Sequence, residues 1–307
     1  MPLTGTAPQK VQKVQKGNMS GLNVSLGYAL AVVALSVTSR LLTRRLPLRS
    51  FSAEFLAALA LVACWMEVQT LMEMGQWAGG FGPDVAFTLL FLTLVVHGAV
   101  SQGATGNPAV TATDFLTRDC TASSALLGFA GQFLGAFLAH HLTSYYWSLE
   151  LTDMHMIRNM MSQECSPALR SSVLQGALTE GACALSFHLL YASLRHRTAL
   201  LRVPLVAAVL TFLNYAARGY TSGFLNPSLA YALTFHCPGF TLVEYMTVYW
   251  FGPLAGMTLA AFLNLGHIPR LFARNLLYSQ KTRFRVPKGK GPQGQAETKA
   301  PGEKKGA

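Results

Sequence analysis

The chain has 307 residues, of which 51% are hydrophobic and only 12% charged. Soluble domains carry about 25% charged residues, so this deficit excludes an ordinary water-soluble fold and points to lipid as the solvent. The net charge of +11 does not indicate nucleic acid, because the basic residues stand between and after apolar runs and not along one helical face.

Seven apolar stretches follow in chain order, at about 21–41, 51–72, 84–102, 122–147, 172–194, 198–217 and 241–265. Each is close to the roughly 20 residues that a spanning helix needs, and none shows strand-like alternation. Residues 1–20, with Lys10, Lys13 and Lys16, read as an N-terminal extension. The stretch 21–41 has three readings: an added hydrophobic helix, a helix lying partly in the membrane, or a signal peptide. Its apolar run is longer than a usual signal core, which favours the added helix. The sequons Asn18-Met19-Ser20 and Asn23-Val24-Ser25 abut that run and read as chance.

Arg40, Arg44, Arg45 and Arg49 lie between the first two stretches, whereas 73–83 has no Lys or Arg. Arg195, Arg197 and Arg202 border the fifth and sixth, and a basic segment follows the seventh. With the 42–50 side cytosolic, every second connection falls there, including the basic ones, and so does the C-terminus. Residues 270–307 combine Gly, Pro and Lys with few apolar groups and read as a disordered, basic cytosolic tail. Its Lys-Lys-Gly-Ala end matches a dilysine signal for the endoplasmic reticulum, which implies an intracellular membrane.

Residues 51–265 divide into two halves, 51–147 and 172–265. Each has a Glu in its first helix (Glu54, Glu180), a second helix, an Asn-Pro triplet (Asn107-Pro108-Ala109, Asn226-Pro227-Ser228) and a third helix. Three helices per half turn the second half upside down relative to the first. Such inverted repeats place a site at the membrane midplane. Asn is a favoured helix N-cap and Pro a favoured first helical residue, so each triplet opens a short helix. Two such helices dipping from opposite faces meet at their N-termini, each carrying roughly half a positive charge. That meeting point passes water and penalises cations and protons.

These residues resemble the aquaporin family, and within it the superaquaporin subgroup. The resemblance covers about 51–265. It rests on "AEFLA", "GATGNPAV", "GQFLGA", "LTEGACA", "SGFLNPSLA" and "VYWFGPLAG", with "WAGGFGPD" and "RNLLYSQK" as subgroup traits. It implies an all-α membrane protein: a right-handed bundle of six transmembrane helices plus two half-helices, here with an extra N-terminal helix. It also implies a homotetramer in the lipid bilayer, with one pore per protomer. Its constriction residues carry over to Phe87, twenty residues before Asn107, to Asn214, twelve before Asn226, to Gly223, and to Leu229, where ordinary members have Arg. Loss of that Arg removes donors, and Gly223 widens the site, so the resemblance implies a pore open to glycerol or hydrogen peroxide beside water.

Glu54 and Glu180 have two readings, a proton relay or acceptors for backbone N–H groups of the Asn-Pro loops. The resemblance favours the second. Gly131/Gly135 and Gly252/Gly256 sit four apart, a spacing that lets helices touch. His97 and His188 read as packing residues, and His140-His141 as an interfacial pair. The five cysteines, at 64, 120, 165, 183 and 237, form no C-x-x-C pair, so zinc and a disulfide framework lack support and most read as apolar fillers. Cys237 is open to a role in folding or assembly, or to plain packing. No hydrolase, metalloprotease or nucleotide motif is present, so an enzyme, a metal and a cofactor are not expected. Three functions remain: a passive channel for water and small neutral solutes, an inverted-repeat secondary transporter, or a membrane scaffold with a closed pore.

Overall fold

The computed structural model describes residues 21–45, 49–75, 78, 81–161 and 167–264, all within one unit, Met1–Leu265. The extension 1–20, Cys165 and the basic tail lie outside the described residues, and so do the expectations placed on them.

The described chain is helical throughout: α1 (Gly21–Thr43), α2 (Arg49–Met74), α3 (Pro83–Val100), α4 (Pro108–Leu116), α5 (Ala122–Ser148), α6 (Asp153–Met160), α7 (Val173–Leu194), α8 (Ala199–Ala217), α9 (Pro227–Thr234), α10 (Leu242–Met246) and α11 (Gly252–Asn264). A π-helical turn, Thr247–Phe251, joins the last two. It falls just before Pro253, whose ring clashes with the carbonyl four residues back at ordinary α spacing. Six segments are long and apolar enough to cross a membrane: α1, α2, α3, α5, α8 and Leu242–Asn264. The fifth stretch, α7, is not among them, because Gln175, Thr179, Glu180 and His188 dilute its apolar character. It is nevertheless a full 22-residue helix.

The repeat is visible in the packing. In the first half α2 lies on α5, and in the second α7 lies on α11. Both contacts are backbone-close. A Cβ on Gly135 would stand 2.4 Å from the Phe55 carbonyl oxygen, and one on Gly256 would stand 2.0 Å from that of Gly181. No side chain fits there, so these glycines set how near the helices approach.

The first stretch is an added helix. α1 runs antiparallel to α2 from end to end. At one end the Ser25 hydroxyl donates to Glu67 Oε1 (2.5 Å), and at the other Arg40 donates to the carbonyls of Ala53 (2.9 Å) and Ser101. Its far face leaves Leu30, Leu35 and Leu42 exposed, as a lipid-facing surface requires. Ser25, the last residue of the second sequon, is buried in this contact.

A short amphipathic helix, α6, has no counterpart in the sequence reading. His155 on α6 contacts Glu67 Oε1 (2.8 Å), and the Trp147 indole donates to Glu67 Oε2 (2.9 Å). Glu67 therefore ties α1, α5 and α6 to α2. A buried carboxylate is tolerated only when paired and hydrogen-bonded in this way.

Candidate functional site

Each Asn-Pro loop is built by its own half. In the first, Glu54 accepts from the backbone N–H of Thr105 (3.2 Å) and Gly106 (2.9 Å), and from Gln132 Nε2 (2.8 Å). In the second, Glu180 accepts from Phe224 (3.1 Å) and Leu225 (2.9 Å). Both intramembrane carboxylates thus spend their oxygens on loop amides. The residue before each Asn is left-handed: Gly106 has φ 63° and Leu225 φ 54°. Gly106 also presses on α2, where a Cβ would stand 2.9 Å from the Ala58 backbone, so only Gly fits. Leu225 holds a conformation unfavourable for a side-chain-bearing residue, and the Glu180 carboxylate fixes its N–H.

The asparagines cap the half-helices that follow. Asn107 Oδ1 accepts from the Ala109 N–H (2.9 Å), and Asn226 Oδ1 accepts from Ser228 (3.0 Å) and Leu229 (3.3 Å). Pro occupies the first helical position in both. The two loops then exchange bonds. Asn107 Nδ2 donates to the Leu225 carbonyl (3.3 Å), and Asn226 Nδ2 donates to the Gly106 carbonyl (3.0 Å). Ser228 Oγ adds a bond to the same Gly106 oxygen (3.0 Å). Each amide nitrogen carries two hydrogens, so one bond across the junction leaves a second donor. The helix N-termini of α4 and α9 therefore face each other, with their positive ends converging.

Two cavities flank this junction. An inner cavity of about 130 Å³ is lined by Leu61, His97, Asn107, Gly223, Asn226 and Leu229, among others. An outer cavity of about 230 Å³ has a polar wall that includes Gln69, Glu73, Arg158, Arg170, Asn214 and Arg218. Of the four constriction positions taken from the resemblance, Gly223 and Leu229 line the inner cavity and Asn214 lines the outer one, its amide donating to the Ser222 carbonyl (2.6 Å). Phe87 does not join them. It lines neither cavity; its half-buried ring meets Tyr215 on α8 edge-on, with centroids 5.1 Å apart, and lies under Arg218.

His97, read from the sequence as a packing residue, lines the inner cavity and contacts the Thr105 carbonyl (3.3 Å). His188 contacts Thr113 on α4 (3.1 Å), and His140 contacts the Ala232 carbonyl (2.8 Å), so both brace half-helices. Among the described residues no group of three His, Cys, Asp or Glu is placed to hold a metal. Cys237 corrects the expectation for the cysteines. It is disulfide-bonded, to a partner outside the described residues, whereas Cys64, Cys120 and Cys183 are free. A lone Cys with no C-x-x-C partner gives no sequence signal for this. Trp65, Phe224 and the three arginines of the outer cavity likewise escaped the sequence reading. Phe224 lies within the quoted "SGFLNPSLA", but neither it nor the others was assigned a role there.

The family model for the major intrinsic proteins matches residues 41–264. Aquaporin-12 of Mus musculus is 45% identical over 92% of this chain and 98% of its own length. Putative aquaporin-12A of Homo sapiens is 43% identical over 92% and 93% of the two chains. Human aquaporin-11 is 30% identical over 80% of this chain and 90% of its own. With its paired Asn-Pro half-helices and these matches over most of its length, the chain belongs to the major intrinsic protein family, in its superaquaporin branch, a family of channels and not of enzymes.

Proposed function

We propose that the chain is a passive channel for water and small neutral solutes such as glycerol or hydrogen peroxide, with the pore beside Asn107-Pro108-Ala109 and Asn226-Pro227-Ser228. The observation that carries this is the head-on meeting of α4 and α9, with the two asparagines on the wall of one cavity. Converging helix N-termini disfavour cations, and the free amide hydrogens offer donors to a neutral permeant. A secondary transporter would need an ionisable group free at mid-depth, and the oxygens of Glu54 and Glu180 are taken by loop amides. In the constriction we place Asn214, Gly223 and Leu229.

The proposed setting is an intracellular membrane, with the side of Arg44, Arg45 and Arg49 and the C-terminus in the cytosol. Two observations agree with this. Arg195 pairs with Asp119, so two connections assigned to the cytosol lie on one side. The disulfide at Cys237 falls on the opposite, non-cytosolic side, where such bonds persist. A homotetramer in the bilayer is the proposed assembly.

Swelling and shrinkage of proteoliposomes under water, glycerol and peroxide gradients test the reading. Ungated flux that follows the gradient is expected, and Leu229→Arg is expected to suppress glycerol more than water. Flux coupled to protons, or none above empty vesicles, refutes it.

A further inference from the structure

We infer that the passage in this chain has a further, aromatic constriction formed by Trp65 and Phe224, beside the positions that the resemblance supplies. The inference rests on the channel reading and names the residues that set its selectivity. The two cavities have Trp65 and Phe224 as common lining residues, so these rings stand where one cavity gives way to the other. The α2 side of the passage is one continuous stripe. Leu61 lines the inner cavity, Trp65 both, and Gln69 and Glu73 the outer one, at a spacing of four residues that keeps them on a single helical face.

Both rings are held in place. Each residue is only 4% exposed. Trp65 sits in the middle of α2, the helix enclosed by α1, α3, α5 and α6. Phe224 is fixed at its backbone by Glu180, and its ring lies against Tyr249 with centroids 5.7 Å apart. Tyr249 is anchored in turn by its hydroxyl, which donates to the Thr221 carbonyl (3.2 Å). Nothing about the pair resembles a mobile lid.

The rings also divide two different environments. Outside them stand Arg158, Arg170 and Arg218 with one acid, Glu73, which pairs with Arg158 (2.7 Å). Among the described residues no carboxylate pairs with Arg170 or Arg218. Inside, the wall is mainly apolar, with Asn107 and Asn226 at the junction and His97, Thr105, Tyr191 and Arg202 as its other polar residues. The excess positive charge that Leu229 cannot supply therefore sits at the outer mouth, where it repels cations before they reach the rings. A narrow apolar neck then penalises a permeant by the hydrogen bonds it must give up, a barrier of the dewetting kind. Water loses most for its size, and a small neutral solute with apolar surface loses less.

The test is stopped-flow light scattering on proteoliposomes of wild type, Trp65→Ala, Trp65→Phe and Phe224→Leu, with water and glycerol gradients. Matched thermal unfolding in detergent shows that each variant is folded. Trp65→Ala is expected to raise both permeabilities several-fold, with Trp65→Phe and Phe224→Leu intermediate. If wild type conducts and none of the folded variants departs from it, the constriction lies elsewhere and the inference falls while the channel reading stands. If neither wild type nor any variant exceeds empty vesicles, the channel reading falls and takes the inference with it.

Discussion

Glu180→Gln tests how the second Asn-Pro loop is held. The two Glu180 oxygens accept the N–H groups of Phe224 and Leu225, at 3.1 and 2.9 Å, in a site closed to solvent. Gln keeps one acceptor and turns an amide NH₂ toward the other N–H, so one buried donor loses its partner and the remaining bond loses its charge. An unsatisfied buried donor costs about 1–3 kcal/mol, and exchanging a charged for a neutral acceptor adds about 1 kcal/mol. The total, on the order of 2–4 kcal/mol, corresponds to a drop in Tm of roughly 5 °C or more by the scaling of domains of this size. Glu54→Gln should cost less, because Glu54 is only half-buried and water reaches the released groups. Thermal unfolding in detergent of both variants, with Thr179→Ala, which leaves both loops untouched, as control, measures the difference. If Glu180→Gln unfolds at the wild-type temperature, or Glu54→Gln is the more damaging, the carboxylates do not support the loops as described.

Gly256→Ala is expected to destabilise by about 1–3 kcal/mol or more through overpacking, since the new methyl would meet the Gly181 carbonyl at 2.0 Å. Gly27→Ala, with open space around it, should be neutral in the same thermal scan. Glu67→Ala strands the donors of Ser25 and Trp147 and the partner of His155, a loss of about 3–5 kcal/mol for a broken buried pair, and hydrogen exchange in α1 should rise with it. On the exposed 117–121 connection, the Thr117 hydroxyl, then Arg195, hold the Asp119 carboxyl below the usual carboxylate range. Because its folded pKa is lowered, its contribution to stability is present above the unfolded value near 4 and fades as pH falls through the folded one. Screening keeps that contribution under about 1 kcal/mol, so Asp119→Asn should shift Tm slightly at pH 7 and not at pH 2.

The length and apolarity of the seven stretches, and the Asn-Pro triplets in two halves, were legible in the sequence because lipid imposes helix length and because capping is local chemistry. Glu54 and Glu180 were legible as a pair through the repeat. Phe87 was placed by offset alone; its ring meets Tyr215 edge-on, an arrangement that packing and not the count decides. Glu67 lay in plain view within an apolar helix. Its partners come from three other segments, as distant as His155, so no local pattern announces the network.

What the sequence by itself determined is a lipid-embedded inverted repeat with two capped half-helices. Those features follow from residue type and from spacing over a few turns. Tertiary structure alone decided that Asn107 and Asn226 bond across to Leu225 and Gly106, that Cys237 is cross-linked, and that Trp65 and Phe224 stand between two cavities. The crossed loop bonds and the ring pair join residues far apart in the chain. They are brought together by the close approach of α2 to α5 and α7 to α11, where glycine leaves room for backbone to touch backbone.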